Sequence, residues 1–176
     1  MKKKTNIRWV VRIVLISIAV SAVFTVTSSE LLGRAGNLVA FVILVVFIGI
    51  GVVFDMIGVA VISAQEAPFH SMAARRERGA SQALKLLKNA EKASSLCNDV
   101  VGDVSGIVSG ATAAYITARL ALTFNTESVL LQLLISSAVA GLTIGGKAAG
   151  KTLAMNRSVA IVLGVGRLVE FFQRKK

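Results

Sequence analysis

The sequence predicts an all-α integral membrane protein, with about four transmembrane helices and amphipathic helices along the cytoplasmic face. Three observations predict it. Apolar residues make up 55% of the 176 and charged residues 16%, against about 45–50% and about 25% in soluble domains. Mean hydropathy is +0.74. The apolar excess is concentrated in long runs separated by basic segments rather than spread evenly.

The net charge of +11 would suggest nucleic acid in a soluble protein. No aromatic or base-reading motif accompanies the charge, so nucleic acid is set aside as a partner. Basic residues between apolar runs point instead to a bilayer with anionic headgroups. The single cysteine, Cys97, allows no internal disulfide. The single histidine, His70, lacks the cysteines or second histidine that a zinc site needs, and reads as an interfacial side chain. One histidine also populates no catalytic triad or metal cluster, so no enzyme and no resident cofactor are expected.

The first run, Trp9 to Thr27, follows Lys2, Lys3 and Lys4 and is about the roughly 20 residues that cross a bilayer. Arg12 can snorkel to the headgroups, and Trp9 suits the interface. A secretory signal has the same shape, with Val20-Ser21-Ala22 as a cleavage region. Continuation of the apolar run past that point favours a retained span. The second run, Leu38 to Ile62, is the most hydrophobic and carries one acid, Asp55. A charge inside a span is costly and is by default a functional candidate. The other reading is a cap on a broken helix or a pair with a neighbouring helix.

Between the second and third runs, Ala80, Leu84 and Leu87 recur at helical spacing, with Arg75, Arg76, Arg78, Lys85, Lys88 and Lys92 supplying charge. A basic amphipathic helix over about residues 68–95 lies either on the bilayer surface or on its own protein. The third run, about Val100 to Leu122, repeats glycine every four residues at Gly102, Gly106 and Gly110. That row lets another helix approach closely, and Asp103 neighbours it. The fourth run is Val129 to Ile144. The tail, about residues 156–172, is too interrupted for a fifth span and fits a juxtamembrane helix.

Loop charges set the orientation. Lys2–Lys4, the Arg75–Lys92 segment and the group Lys147, Lys151, Arg157, Arg167, Arg174, Lys175 and Lys176 fall on one side, and the intervening loops hold only Arg34 as a cation. The positive-inside rule then places both termini in the cytoplasm of a multi-pass plasma (inner) membrane protein.

The stretch GGKAAGKT, Gly145 to Thr152, fits the phosphate-loop pattern GxxxxGK[ST] at every position. A phosphate loop needs a short strand before the turn and a helix starting at the lysine. Here a segment of about sixteen residues precedes it, far beyond a typical strand of about five or six. Only 24 residues follow Thr152, without an acid-ended strand for magnesium. GVVFD, ending at Asp55, imitates such a strand but is embedded in the longest apolar run. No nucleotide is expected at this match.

With four spans and a basic helix in place, ISAQEAPFHSMAARRERGASQALKLLKNAEKASSL resembles the membrane domain of the CNNM/CorC magnesium transporters. GGKAAGKTLAMNRSVAIVLGVGRLVEFF resembles that family's GExxPKxLA stretch and its following juxtamembrane helix. The similarity runs from about Val39 to Phe172, so residues 38–176 correspond to the family domain and 1–37 add an extra span and outside loop. The chain ends where the family continues into cytoplasmic CBS and CorC-type domains. The resemblance implies a dimer, and a dehydrated magnesium ion held by serine, asparagine, backbone and glutamate oxygens. Magnesium requires such hard ligands at about 2.0–2.1 Å.

Carried over residue by residue, Ser63 and Glu66 keep two family positions, while Val59 stands for a serine and Gln65 for another. The family's asparagine pair falls near Gly102-Asp103 or near Val100. Its glutamate aligns with Lys147 and its proline with Gly150. An ammonium at that carboxylate position either occupies the ion's place, pairing with Asp103, Asp55 or Glu66, or snorkels to the surface. Two functions follow. One is transport of a divalent cation such as magnesium, with Ser63, Glu66, Asp103 and Asp55 as ligands. The other is a non-transporting scaffold or regulatory subunit, a homodimer or the partner of another membrane protein, with its ion site disarmed by Lys147 and Val59. A lysine–carboxylate pair inside the bundle favours the second.

Overall fold

The computed structural model describes residues 7–34, 36–124 and 129–174, and every element among them is helical. Lys2–Lys4, Lys175 and Lys176 of the orientation argument lie outside the described residues. The order is α1 (Ile7–Arg34), α2 (Asn37–Ser63), α3 (Ala67–Ala74), α4 (Ala80–Lys88), α5 (Ala90–Ser95), a π-helical segment (Leu96–Gly102), α6 (Asp103–Phe124), α7 (Val129–Asn156) and α8 (Ser158–Arg174). Four stretches are long and apolar enough to cross a membrane: Ile7–Gly33, Asn37–Ser63, Ala90–Thr123 and Gln132–Asn156. Their side chains explain why. α1 leaves Val10, Val14, Leu15, Ile18, Val23 and Val26 exposed, and water does not tolerate an unpartnered apolar helix of this length.

The chain forms two units: Met1–Gly51 with Val100–Thr143, and Val52–Asp99 with Ile144–Lys176. In the first, α1 packs on α6. Leu32, Ile43, Leu44, Phe47, Val104, Val108 and Ile116 form its core. Phe24 and Phe47 meet with ring centroids 5.5 Å apart at 59°. Several polar side chains are satisfied locally, as an apolar medium demands, while the buried Ser105 Oγ has no hydrogen-bond partner among the described residues. Thr112 Oγ1 donates to the Val108 carbonyl at 2.8 Å, and Ser28 Oγ lies 3.3 Å from Thr112 Oγ1. Tyr115 OH donates to the Leu32 carbonyl at 3.1 Å. These bonds tie α1 to α6.

In the second unit, the segment predicted as one helix over about residues 68–95 forms three. Pro68 opens α3, where its missing N–H costs nothing. Arg76 (φ 55°) and Gly79 (φ 83°) break the chain before α4, and Asn89 breaks it again before α5. α4 is strongly amphipathic, but its apolar residues Ala80, Ala83 and Leu87 are buried against α3 and α8, with Phe69, Val162 and Leu163. Its apolar face is therefore covered by protein and not free to enter lipid. Gly166 of α8 makes this packing tight: a Cβ there would meet the Gly79 carbonyl and lie 3.0 Å from Ala83 N.

Candidate functional site

Asp55 lies in the C-terminal third of α2, a helix built mostly of valines, isoleucines and other apolar residues. Its residue exposure is 4%, and Oδ2 has no hydrogen-bond partner. Lys151 Nζ of α7 lies 3.7 Å from that oxygen. The distance is an ion pair but too long for a hydrogen bond. The Lys151 side chain is 51% exposed, so the pair is a buried anion met by a cation from the rim.

Close helix packing brings the pair together. A Cβ on Gly146 would lie 3.1 Å from Val52 Cγ2; one on Gly150 would lie 2.8 Å from Met56 Cγ and 3.3 Å from Val52 Cγ1. Gly146 and Gly150 are a G-x-x-x-G pair, one turn apart on α7, against Val52 and Met56, one turn apart on α2. Asp55 and Lys151 each adjoin this seam. GGKAAGKT is thus the interior of α7, where backbone N–H groups bond within the helix and are not gathered into an anion-binding turn. Thr152 Oγ1 returns its hydrogen to the Ala148 carbonyl at 3.3 Å.

One turn after Asp55, Gly58 leaves room for Asn98 of the π-helical segment; a Cβ would lie 2.6 Å from Asn98 Cγ. Asn98 Nδ2 donates to Ser94 Oγ at 3.3 Å, while its Oδ1 is buried without a partner. Asp55 Oδ2 and Asn98 Oδ1 are thus two buried oxygens without a hydrogen bond on the same unit. Irregular π turns frequently coincide with functional sites.

The remaining sequence candidates are elsewhere. Ser63 donates to the Val59 carbonyl at 2.8 Å and to the Ala60 carbonyl at 3.3 Å, so its hydroxyl serves its own helix. Glu66 is exposed, with His70 Nε2 3.7 Å from its Oε2. Asp103 is exposed at the start of α6 and belongs to the other unit. Lys147 is half-buried, one turn before Lys151. Among the described residues no three histidine, cysteine, aspartate or glutamate side chains converge as a metal would require. Of the glycine row, Gly102 is buried, while Gly106 and Gly110 face open space. Gly51 makes the close contact there, with a Cβ 3.2 Å from Ser105 Cβ and 3.4 Å from the Gly102 carbonyl.

Sequence reasoning missed Lys151 as the partner of Asp55, Asn98 as a buried polar group, and Gly146/Gly150 as the packing pair. The GxxxG spacing beside an apolar run was the available signal for the last. Comparison with protein-family models, curated proteins and solved structures returns no match. The fold class rests on the helices themselves: an all-α membrane protein with four helices able to span.

Proposed function

We propose that this chain is a non-transporting subunit of the inner membrane, with both termini cytoplasmic. In this reading it is a scaffold or regulatory partner whose ion site is filled by its own lysine. The observation that carries it is Lys151 Nζ 3.7 Å from the buried Asp55 Oδ2. The ammonium pairs with the one carboxylate buried in a span among the described residues and stands where a cation would. A divalent ion placed there would meet one carboxylate and one repelling cation, with little to offset its dehydration. The chain's resemblance to the CNNM/CorC membrane domain supplies the ancestry of such a site, and Lys147 and Val59 extend the same disarming. The open Gly106/Gly110 face supports a second helix as partner, from another copy or another membrane protein. No nucleotide and no enzymatic role belong to this reading.

A second reading keeps cation transport, favoured by the buried oxygens of Asp55 and Asn98 that accept no hydrogen bond. Magnesium uptake into proteoliposomes separates the two. The scaffold reading expects flux equal to protein-free vesicles; flux that is lost in Asp55→Asn selects transport.

A further inference from the structure

Where the turn before α4 meets the end of α8, Glu77, Arg78, Arg167, Glu170 and Phe171 line an open cavity of about 520 Å³. Its charged groups are held in place by the fold. Arg167 Nη2 lies 3.2 Å from Glu77 Oε1, and Arg167 Nε donates to the Arg78 carbonyl at 3.4 Å. Glu170 Oε2 accepts the Gly79 N–H at 2.5 Å, in the turn whose left-handed φ only glycine adopts easily. The Arg78 guanidinium, by contrast, has no hydrogen bond or ion pair among the described residues. Among the described residues the lining holds two arginines and two glutamates, a balanced set in a chain that carries +11 as a whole.

The cavity sits on an amphipathic boundary. On α8, Leu168, Phe171 and Phe172 form an exposed apolar stripe, 61%, 61% and 71% accessible, beside the charged Arg167 and Glu170. Such a boundary belongs at headgroup depth, with the aromatic stripe toward the acyl chains.

We infer that this cavity binds the headgroup of an aminophospholipid, phosphatidylethanolamine. The phosphate takes the free Arg78 fork, whose planar donors match two oxygens at once. The primary ammonium donates to Glu77 and Glu170. Phe171 lies along the glycerol and first methylenes. An anionic headgroup such as phosphatidylglycerol satisfies Arg78 but leaves the two carboxylates facing it. A choline headgroup brings a cation without N–H donors. The inference rests on the membrane class of the fold and is independent of whether Asp55 binds an ion.

The test uses the full chain purified in detergent, melted with added dioleoyl-phosphatidylethanolamine, -phosphatidylcholine or -phosphatidylglycerol, or with soluble O-phosphoethanolamine. The ethanolamine lipid raises the melting temperature by about 5 °C at saturating amounts, more than the other two lipids and more than the soluble headgroup. Arg78→Gln melts like wild type without lipid, because Arg78 has no partner to lose, and abolishes the ethanolamine shift. An equal shift from all three lipids, an equal shift from O-phosphoethanolamine, or a full shift retained in Arg78→Gln overturns the proposal.

Discussion

Lys151 Nζ stands 3.7 Å from Asp55 Oδ2, a carboxylate oxygen buried in α2 with no hydrogen bond to satisfy it. Removing the lysine leaves that charge uncompensated, so Lys151→Ala is destabilising by about 1–3 kcal/mol, below a fully buried pair because the lysine is half exposed. Asp55→Asn removes the charge that needs a partner. Adding it to Lys151→Ala recovers part of the loss. Thermal melts of the two single variants and the double variant measure the coupling; purely additive losses would show that the pair does not interact.

Glycines on α7 and α8 separate by what they touch. Gly166→Ala pushes a Cβ onto the backbone of Gly79 and Ala83, which cannot move without shifting α4, and costs about 2 kcal/mol or more. Gly150→Ala meets the side chains of Met56 and Val52 rather than backbone and costs less. Gly106→Ala and Gly110→Ala enter open space and gain helix propensity, so they are neutral or stabilising by up to about 1 kcal/mol. Melting the four variants in one detergent gives the ranking. A loss at Gly110 as large as at Gly166 in the protein purified alone would show that the open face is already covered by a second copy.

Much of this fold was legible in the sequence, because a bilayer forces helices and their lengths. The starts of α2, α7 and α8 fall close to where apolar runs and charges put them. What was not legible is pairing in space. The fourth apolar run ends at Ile144, yet α7 continues to Asn156, with Gly146 and Gly150 held against Val52 and Met56 rather than solvated. The basic segment has helical periodicity across Gly79 and Asn89, and only the packing on α8 shows where it breaks. Asp55 stood out as a charge in a span, but periodicity along one helix does not name a partner nearly a hundred residues away.

The α1–α6 pair carries two polar contacts of different worth. Tyr115→Phe loses the bond to the Leu32 carbonyl and costs about 0.5–1.5 kcal/mol. Ser28→Ala costs less, near the average of about 0.6 kcal/mol for hydroxyl contacts between membrane helices, since Thr112 keeps its bond to Val108. Denaturation in detergent compares them. A neutral Tyr115→Phe would show that α1 does not sit against α6.

The proposed orientation rests on charge and is open to labelling. With Cys97 replaced by serine, single cysteines at Ser81 and Gln173 should react with an impermeant maleimide only after cells are opened. One at Asn37 should react in intact cells. The reverse pattern would invert the topology.

The most direct measurement is magnesium calorimetry on the detergent-purified protein, wild type beside Lys151→Ala. If Lys151 fills the cation position of Asp55, the wild type gives no binding heat and the variant gains weak, millimolar-range binding. Sub-millimolar binding by the wild type, abolished by Asp55→Asn, would contradict the account and restore a working ion site.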